Sequence, residues 1–157
     1  MPSAAQLQKI WLLSDTALYT EAVNFIHELV EKRHCEPLPA AQANGLLNIA
    51  GSSRYSDLYQ FVVHQRDRDW PSSKRDIKRF YTDLEQFLSQ MQRKRLREEF
   101  RLLADVRGRS VSDLRREADE LLILLAREFI QHLVAENSVL AAKAEEARAK
   151  RRRTGGR

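Results

Sequence analysis

The chain has little of what bends or staples a polypeptide: one cysteine, five glycines and four prolines in 157 residues. A lone Cys35 forms no internal disulfide and fits a reducing compartment. With so few turn residues, and abundant Leu, Ala, Gln, Glu and Arg, long helices are favoured. No segment carries the sustained Val/Ile/Thr alternation of a strand. The opening Met1-Pro2-Ser3-Ala4-Ala5-Gln6 lacks the basic and apolar regions of a signal peptide. The most apolar block, residues 121–126, is closed by Glu120 and Arg127 and is far too short to cross a membrane. A cytoplasmic protein without membrane attachment is expected.

The signatures of catalysis are also missing. His27, His34, His64 and His132 are scattered along the chain. His27-Glu28 has no second histidine at zinc-protease spacing, and His34-Cys35 has no partner pair at zinc-finger spacing. There is no phosphate-cradling Gly-rich loop, nucleophile elbow or kinase set. Acidic pairs such as Glu98-Glu99 and Glu145-Glu146 read as solvated helix faces. The expectation is a non-enzymatic protein with no metal and no cofactor, its histidines surface or partly buried and its cysteine buried.

What is present is a globular composition, 43% hydrophobic and 31% charged, of single-domain length. Leu121-Leu122-Ile123-Leu124-Leu125-Ala126, continued by Phe129-Ile130 and Leu133-Val134, predicts a helix touched on several sides. The fold expected is all-α: one domain over 1–150, a bundle of about five or six helices around this long, central C-terminal helix. Residues 151–157 are expected to be a basic, disordered tail.

The other helices follow from apolar spacing and breakers. A first segment runs from about Ala4 to His34, with a break allowed at Ser14-Asp15-Thr16 and an end at Pro37 and Pro39. A short helix from Pro39 to Ala50 is expected to be capped by Gly51. Ser52-Ser53 is the expected cap of a third helix carrying Leu58, Phe61, Val62 and Gln65. Ser72-Ser73 opens a fourth, with Ile77, Phe80-Tyr81, Leu84, Phe87-Leu88 and Met91 in step. After Arg93-Lys94-Arg95 the stripe shifts to Leu96, Phe100 and Leu103, so either the helix bends or a new one begins. Ser110 with Asp113 predicts the start of the last helix.

The net charge is +5, and it is unevenly spread. Residues 66–116 hold fifteen Lys/Arg against nine acids, whereas residues 1–65 hold four against six. Lys74 with Lys78, and Arg75 with Arg79, are four residues apart and share helical faces. Arg93, Arg97 and Arg101 repeat that spacing beside Lys94, and Arg107, Arg109, Arg115 and Arg116 extend the patch. Such a ladder can follow a phosphate backbone, each neutralised phosphate releasing counterions. The competing reading is a solvated face, with Asp76, Asp83, Glu85, Glu98 and Glu99 as pairing partners. Trp70 is read as folded onto the bundle, and Tyr55, Tyr59, Phe61, Phe80 and Tyr81 as core rather than a base-stacking platform. Lys150-Arg151-Arg152-Arg153 reads as a nucleic-acid contact, as an import signal if the source is a eukaryote, or as a solubilising tail.

Two motifs carry a resemblance. Leu38-Pro39-Ala40-Ala41-Gln42-Ala43-Asn44-Gly45-Leu46-Leu47-Asn48-Ile49-Ala50 precedes Leu58-Tyr59-Gln60-Phe61-Val62, and a later helix carries Phe80-Tyr81-Thr82-Asp83-Leu84-Glu85-Gln86-Phe87-Leu88. In this order they resemble the small helical subunits of type III CRISPR effector complexes, over residues 37–91; the long 111–150 helix departs from the smallest members. The resemblance implies a non-catalytic subunit that stacks in several copies and contacts guide and target RNA backbone without reading sequence. Its expected partners are RNA, other subunits of a ribonucleoprotein and copies of itself. The alternative is a helical adaptor docking a protein through 136–150 or 52–70.

Overall fold

The computed structural model describes residues 2–103 and 107–155, and among these there is no strand. Five helical rods form an all-α bundle. The first comprises α1 (Ala4–Leu13), a π-helical turn (Ser14–Leu18), α2 (Tyr19–His27) and a second π turn (Glu28–Lys32). The others are α3 (Ala40–Ser52), α4 (Tyr55–Asp67), α5 (Arg75–Gln90) prolonged by a π segment (Met91–Glu99), and α6 (Val111–Thr154).

The first rod starts on a reciprocal cap, in which the Gln6 amide donates to Ser3 Oγ and the Ser3 amide to Gln6 Oε1. It does not break at Ser14-Asp15-Thr16. Ile10, Ser14, Leu18, Ala22 and Ile26 are buried at strict four-residue steps. On an α-helix that repeat drifts about 40° per step, since 3.6 residues make a turn. The wider π turns absorb the drift and keep the stripe facing α6. The same device explains the shift after Arg93-Lys94-Arg95: Met91, Leu96 and Phe100 are buried five and four residues apart on an unbroken rod.

Both π-ended rods stop alike. The Arg33 amide donates to the Glu28 carbonyl and the Cys35 amide to Leu29, around His34 at φ 57°. Phe100 donates to Arg95 and Leu102 to Leu96, around Arg101 at φ 50°. Each left-handed residue turns the chain so that the next one, Cys35 or Leu102, is buried.

Two expected caps are corrected. Gly51 lies inside α3, which ends at Ser52. Ser52 and Ser53 turn their hydroxyls back onto the carbonyls of Asn48 and Ile49 and so finish that helix rather than start the next. Arg54 is the N-cap of α4, its amide donating to Asp57 Oδ2 at 3.4 Å. Ser110 caps α6 as expected, its Oγ accepting from the Asp113 amide at 3.1 Å.

The spine is as the apolar block predicts. Leu121, Leu122, Leu125, Ala126, Phe129, Ile130 and Leu133 are each at most 1% exposed, and α6 packs against α2, α3 and α4. Phe129 stacks on Phe87 with ring centroids 3.7 Å apart, while Phe25 meets it edge-on at 5.8 Å. Truncating Leu125 to Ala would cost about 2–5 kcal/mol through lost transfer energy and the cavity left behind. The helix continues through Thr154 with exposed side chains, and residues 156–157 lie outside the described part. Basic side chains at a helix C-terminus complement its dipole, which supports those last turns.

Candidate nucleic-acid interface

The structure divides the expected basic ladder into two groups. Along the rod the gap from Lys78 to Arg93 is about 22 Å at 1.5 Å per residue. Lys74 sits on a short 3-10 turn (Ser72–Lys74) and Arg75 opens α5; both are exposed. Lys78 and Arg79 are committed within the fold. Lys78 Nζ donates to the Arg66 carbonyl at 3.0 Å, and Trp70 Nε1 donates to the Gln65 carbonyl at 2.6 Å. Together they satisfy the last turn of α4. Arg79 lies 3.8 Å from Asp76 and directs an N–H to Cys35 Sγ at 3.9 Å. Trp70 is folded onto the core with the Arg68 guanidinium 4.7 Å above its ring, and Tyr55, Phe80 and Tyr81 are buried. The aromatic residues are therefore core, as their spacing predicts.

At the other end, Arg93, Lys94 and Arg97 are exposed on the π segment. Arg95, between them, turns inward. It pairs with Glu21 at 2.6 Å and Glu99 at 2.7 Å, and lies over the rings of Phe87 and Phe100 at 5.6 and 4.7 Å. Burial opposes its charge, but the two carboxylates more than offset this and raise its pKa. The π register is what sends Arg95 inward and its neighbours outward. Arg101 is corrected as the third rung of the ladder: the helix ends at Glu99, and Arg101 is an exposed residue of the stop. Arg109 is bound to Glu117, whose other oxygen accepts from Gln6 Nε2 at 2.7 Å. Arg107 is exposed but engaged within the protein.

The start of α6 completes the exposed group. Arg93, Arg97 and Leu96 face Leu114, Arg115 and Leu122 across a groove of about 670 Å³. A second groove of about 560 Å³ adjoins it, where Ser53 and Arg54 of the α3–α4 turn and Ser56 of α4 face Ser112, Arg115 and Arg116. Arg115 and Asp119 line both. Arg93, Arg97, Arg115 and Arg116 form no ion pair with any described residue. Leu96, Leu114, Ala118 and Leu122 line the first groove, the second is mostly polar, and among the described residues the one aromatic at either groove is Tyr55, buried with its hydroxyl donating to the Leu88 carbonyl at 2.7 Å. Burial pushes that phenol's pKa well up. Such a surface offers guanidinium forks to phosphates and, among the described residues, no exposed aromatic face on which a base can stack. Arg54 and Asp119 escape sequence reasoning because they are 65 residues apart and follow no spacing rule.

One other polar cluster has the residue types of a hydrolase. Buried Ser14 Oγ donates to Glu128 Oε2 at 2.8 Å and lies 2.9 Å from His132 Nε2. The serine's only proton is directed at the carboxylate, so the imidazole donates to the same oxygen. That order is the reverse of an activated nucleophile, whose proton faces the histidine. The cluster joins the first rod to α6, as do His27 and Glu136 further along.

Among the described residues no group of three His, Cys, Asp or Glu is placed to hold a metal ion, and no helix is long and apolar enough to cross a membrane. Compared with known proteins, the chain matches no family model, no curated protein and no solved structure.

Proposed function

We propose that this protein is a non-catalytic, RNA-binding assembly subunit of a CRISPR-type ribonucleoprotein effector, contacting guide and target RNA backbone through a basic helical face. The observation that carries the binding role is the gathering of Arg93, Arg97 and Arg115, none ion-paired with a described residue, around one groove. Guanidinium groups that no carboxylate engages remain available to phosphate oxygens. The contacts these arginines make go to phosphates, so binding follows the backbone with little preference for sequence. Lys74 and Arg75, exposed at the far end, give the RNA a second point of contact, and copies of the subunit associate along it in the cytoplasm as part of antiviral defence. The subunit assignment rests on the resemblance of residues 37–91.

Replacing Arg93, Arg97 and Arg115 together by Ala tests the interface. The circular dichroism spectrum is expected to stay unchanged while affinity for single-stranded RNA falls. Unchanged affinity at low salt removes these residues from any interface.

A second reading, a protein–protein adaptor, is favoured by one observation. Trp11, Leu12 and Tyr19 are 57%, 64% and 50% exposed on the first rod, and exposed apolar groups in proximity mark interaction surfaces. An adaptor ignores RNA at physiological salt, so size-exclusion elution with and without RNA separates the two.

A further inference from the structure

Two carboxylates stand on this phosphate-binding surface: Glu120, at the second groove only and engaged within the protein, and Asp119. Asp119, half-buried on α6, lines both grooves among Arg54, Arg93, Arg97, Arg115 and Arg116. Its carboxylate makes no hydrogen bond or ion pair with any described residue, although Arg115 and Arg116 are one turn away on the same helix. A carboxylate in such a position repels the phosphates its neighbours attract. It is also purely an acceptor and so suits a donor supplied by the ligand. An RNA strand whose phosphates lie on the arginines presents a donor beside every one of them, the ribose 2′-hydroxyl. DNA has none there, and it is by this hydroxyl that a protein tells the two apart.

We propose that Asp119 is the sugar-selecting residue of the groove, accepting a hydrogen bond from a ribose 2′-hydroxyl and thereby favouring RNA over DNA. This rests on the RNA-binding reading above and adds to it a named residue and a discrimination. The arginines supply affinity for either polyanion. Asp119 lowers both affinities by repulsion and restores one of them by a charge-assisted hydrogen bond. Ser56 and Ser112 of the adjoining groove both donate and accept hydrogen bonds and show no such bias, and Ser53 spends its proton on the Ile49 carbonyl.

The test is titration of the full chain with oligouridine, oligodeoxyuridine and 2′-fluoro oligouridine at one salt concentration. The three share a base, and the fluorinated strand keeps a ribose-like pucker without a hydroxyl proton. The wild type is expected to prefer oligouridine to both others on the order of tenfold, as one charge-assisted hydrogen bond allows. Asp119→Ala is expected to abolish that preference by weakening RNA binding, while Asp119→Asn, which retains an acceptor oxygen, keeps a preference for RNA. Equal wild-type affinity for the three strands overturns the proposal and leaves the interface standing. So does an Asp119→Ala variant that binds all three more tightly by one factor, which is repulsion alone, or an Asn variant as indifferent as the Ala one. A wild type that binds none of the strands removes the interface itself, and a folded circular dichroism spectrum for each variant assigns every loss to the surface.

Discussion

Asn137 holds the backbone of Leu38 by both of its polar groups. Its Oδ1 accepts from the Leu38 amide at 2.8 Å and its Nδ2 donates to the Leu38 carbonyl at 2.9 Å. Leu38 lies between two prolines in an extended connection where no helix can satisfy these groups. Asn137 is 3% exposed and, with Ser14, is one of two buried polar side chains among the described residues. The clamp fixes how the first rod passes into α3 and hence how both pack on α6. Asn137→Ala strands a buried donor and acceptor, so it is expected to destabilise by about 2–4 kcal/mol, at about 1–3 kcal/mol per orphaned group. Denaturant unfolding followed by circular dichroism measures this, and a change below about 0.5 kcal/mol contradicts the clamp.

Arg95 and its neighbours Arg93 and Arg97 are predicted to separate stability from binding. Arg95→Ala removes the partner of Glu21 and Glu99 and the packing of the guanidinium over Phe87 and Phe100, and is expected to cost about 1–2 kcal/mol, since both carboxylates keep access to water. Arg93→Ala and Arg97→Ala, on exposed sites, are expected to stay within about 0.5 kcal/mol of wild type. Thermal unfolding of the three single variants decides it, and equal Tm values contradict the inward placement of Arg95.

His27 gives the fold a pH dependence of defined sign. Hydrogen bonding to Glu31, and then to Glu136, raises its pKa above the usual 6.5. The contacts are 3.0 Å from Nδ1 and 2.7 Å from Nε2. A raised histidine stabilises the folded state fully below its unfolded pKa, and that contribution is lost as pH rises through the folded value. Glu31, held below its usual range by His27, works in the opposite sense and loses its contribution as pH falls through its lowered pKa. His27→Gln is therefore expected to be less stable than wild type near pH 6 and to approach it at pH 8. A gap that widens between those values contradicts the assignment.

Much of the fold is legible in the sequence wherever apolar residues recur at three and four. Residues 77–91 and 121–134 are examples, and both emerge as core. The π turns are not, because they show only as steps of four repeated or as one step of five, which sequence alone equally allows to be a bend or a break. Ser14 looks like a breaker and is instead buried against Glu128 and His132. The basic surface is half legible: i, i+4 spacing marks Arg93 and Arg97, whereas Arg95 turns inward because of Glu21, 74 residues earlier, and Arg109 is taken up by Glu117. No local pattern encodes partners brought together by packing. The Asn137–Leu38 clamp, 99 residues apart in sequence, is hidden for the same reason.

The most direct test of the central claim is the salt dependence of single-stranded RNA binding. The wild type is expected to show a steep linear fall of log K with log salt, each neutralised phosphate contributing a slope of about −0.7. Replacing Arg93, Arg97 and Arg115 by Ala is expected to make that slope shallower by about 2, one such increment for each guanidinium removed. An unchanged slope, or a wild type that fails to bind RNA even at low salt, contradicts the account.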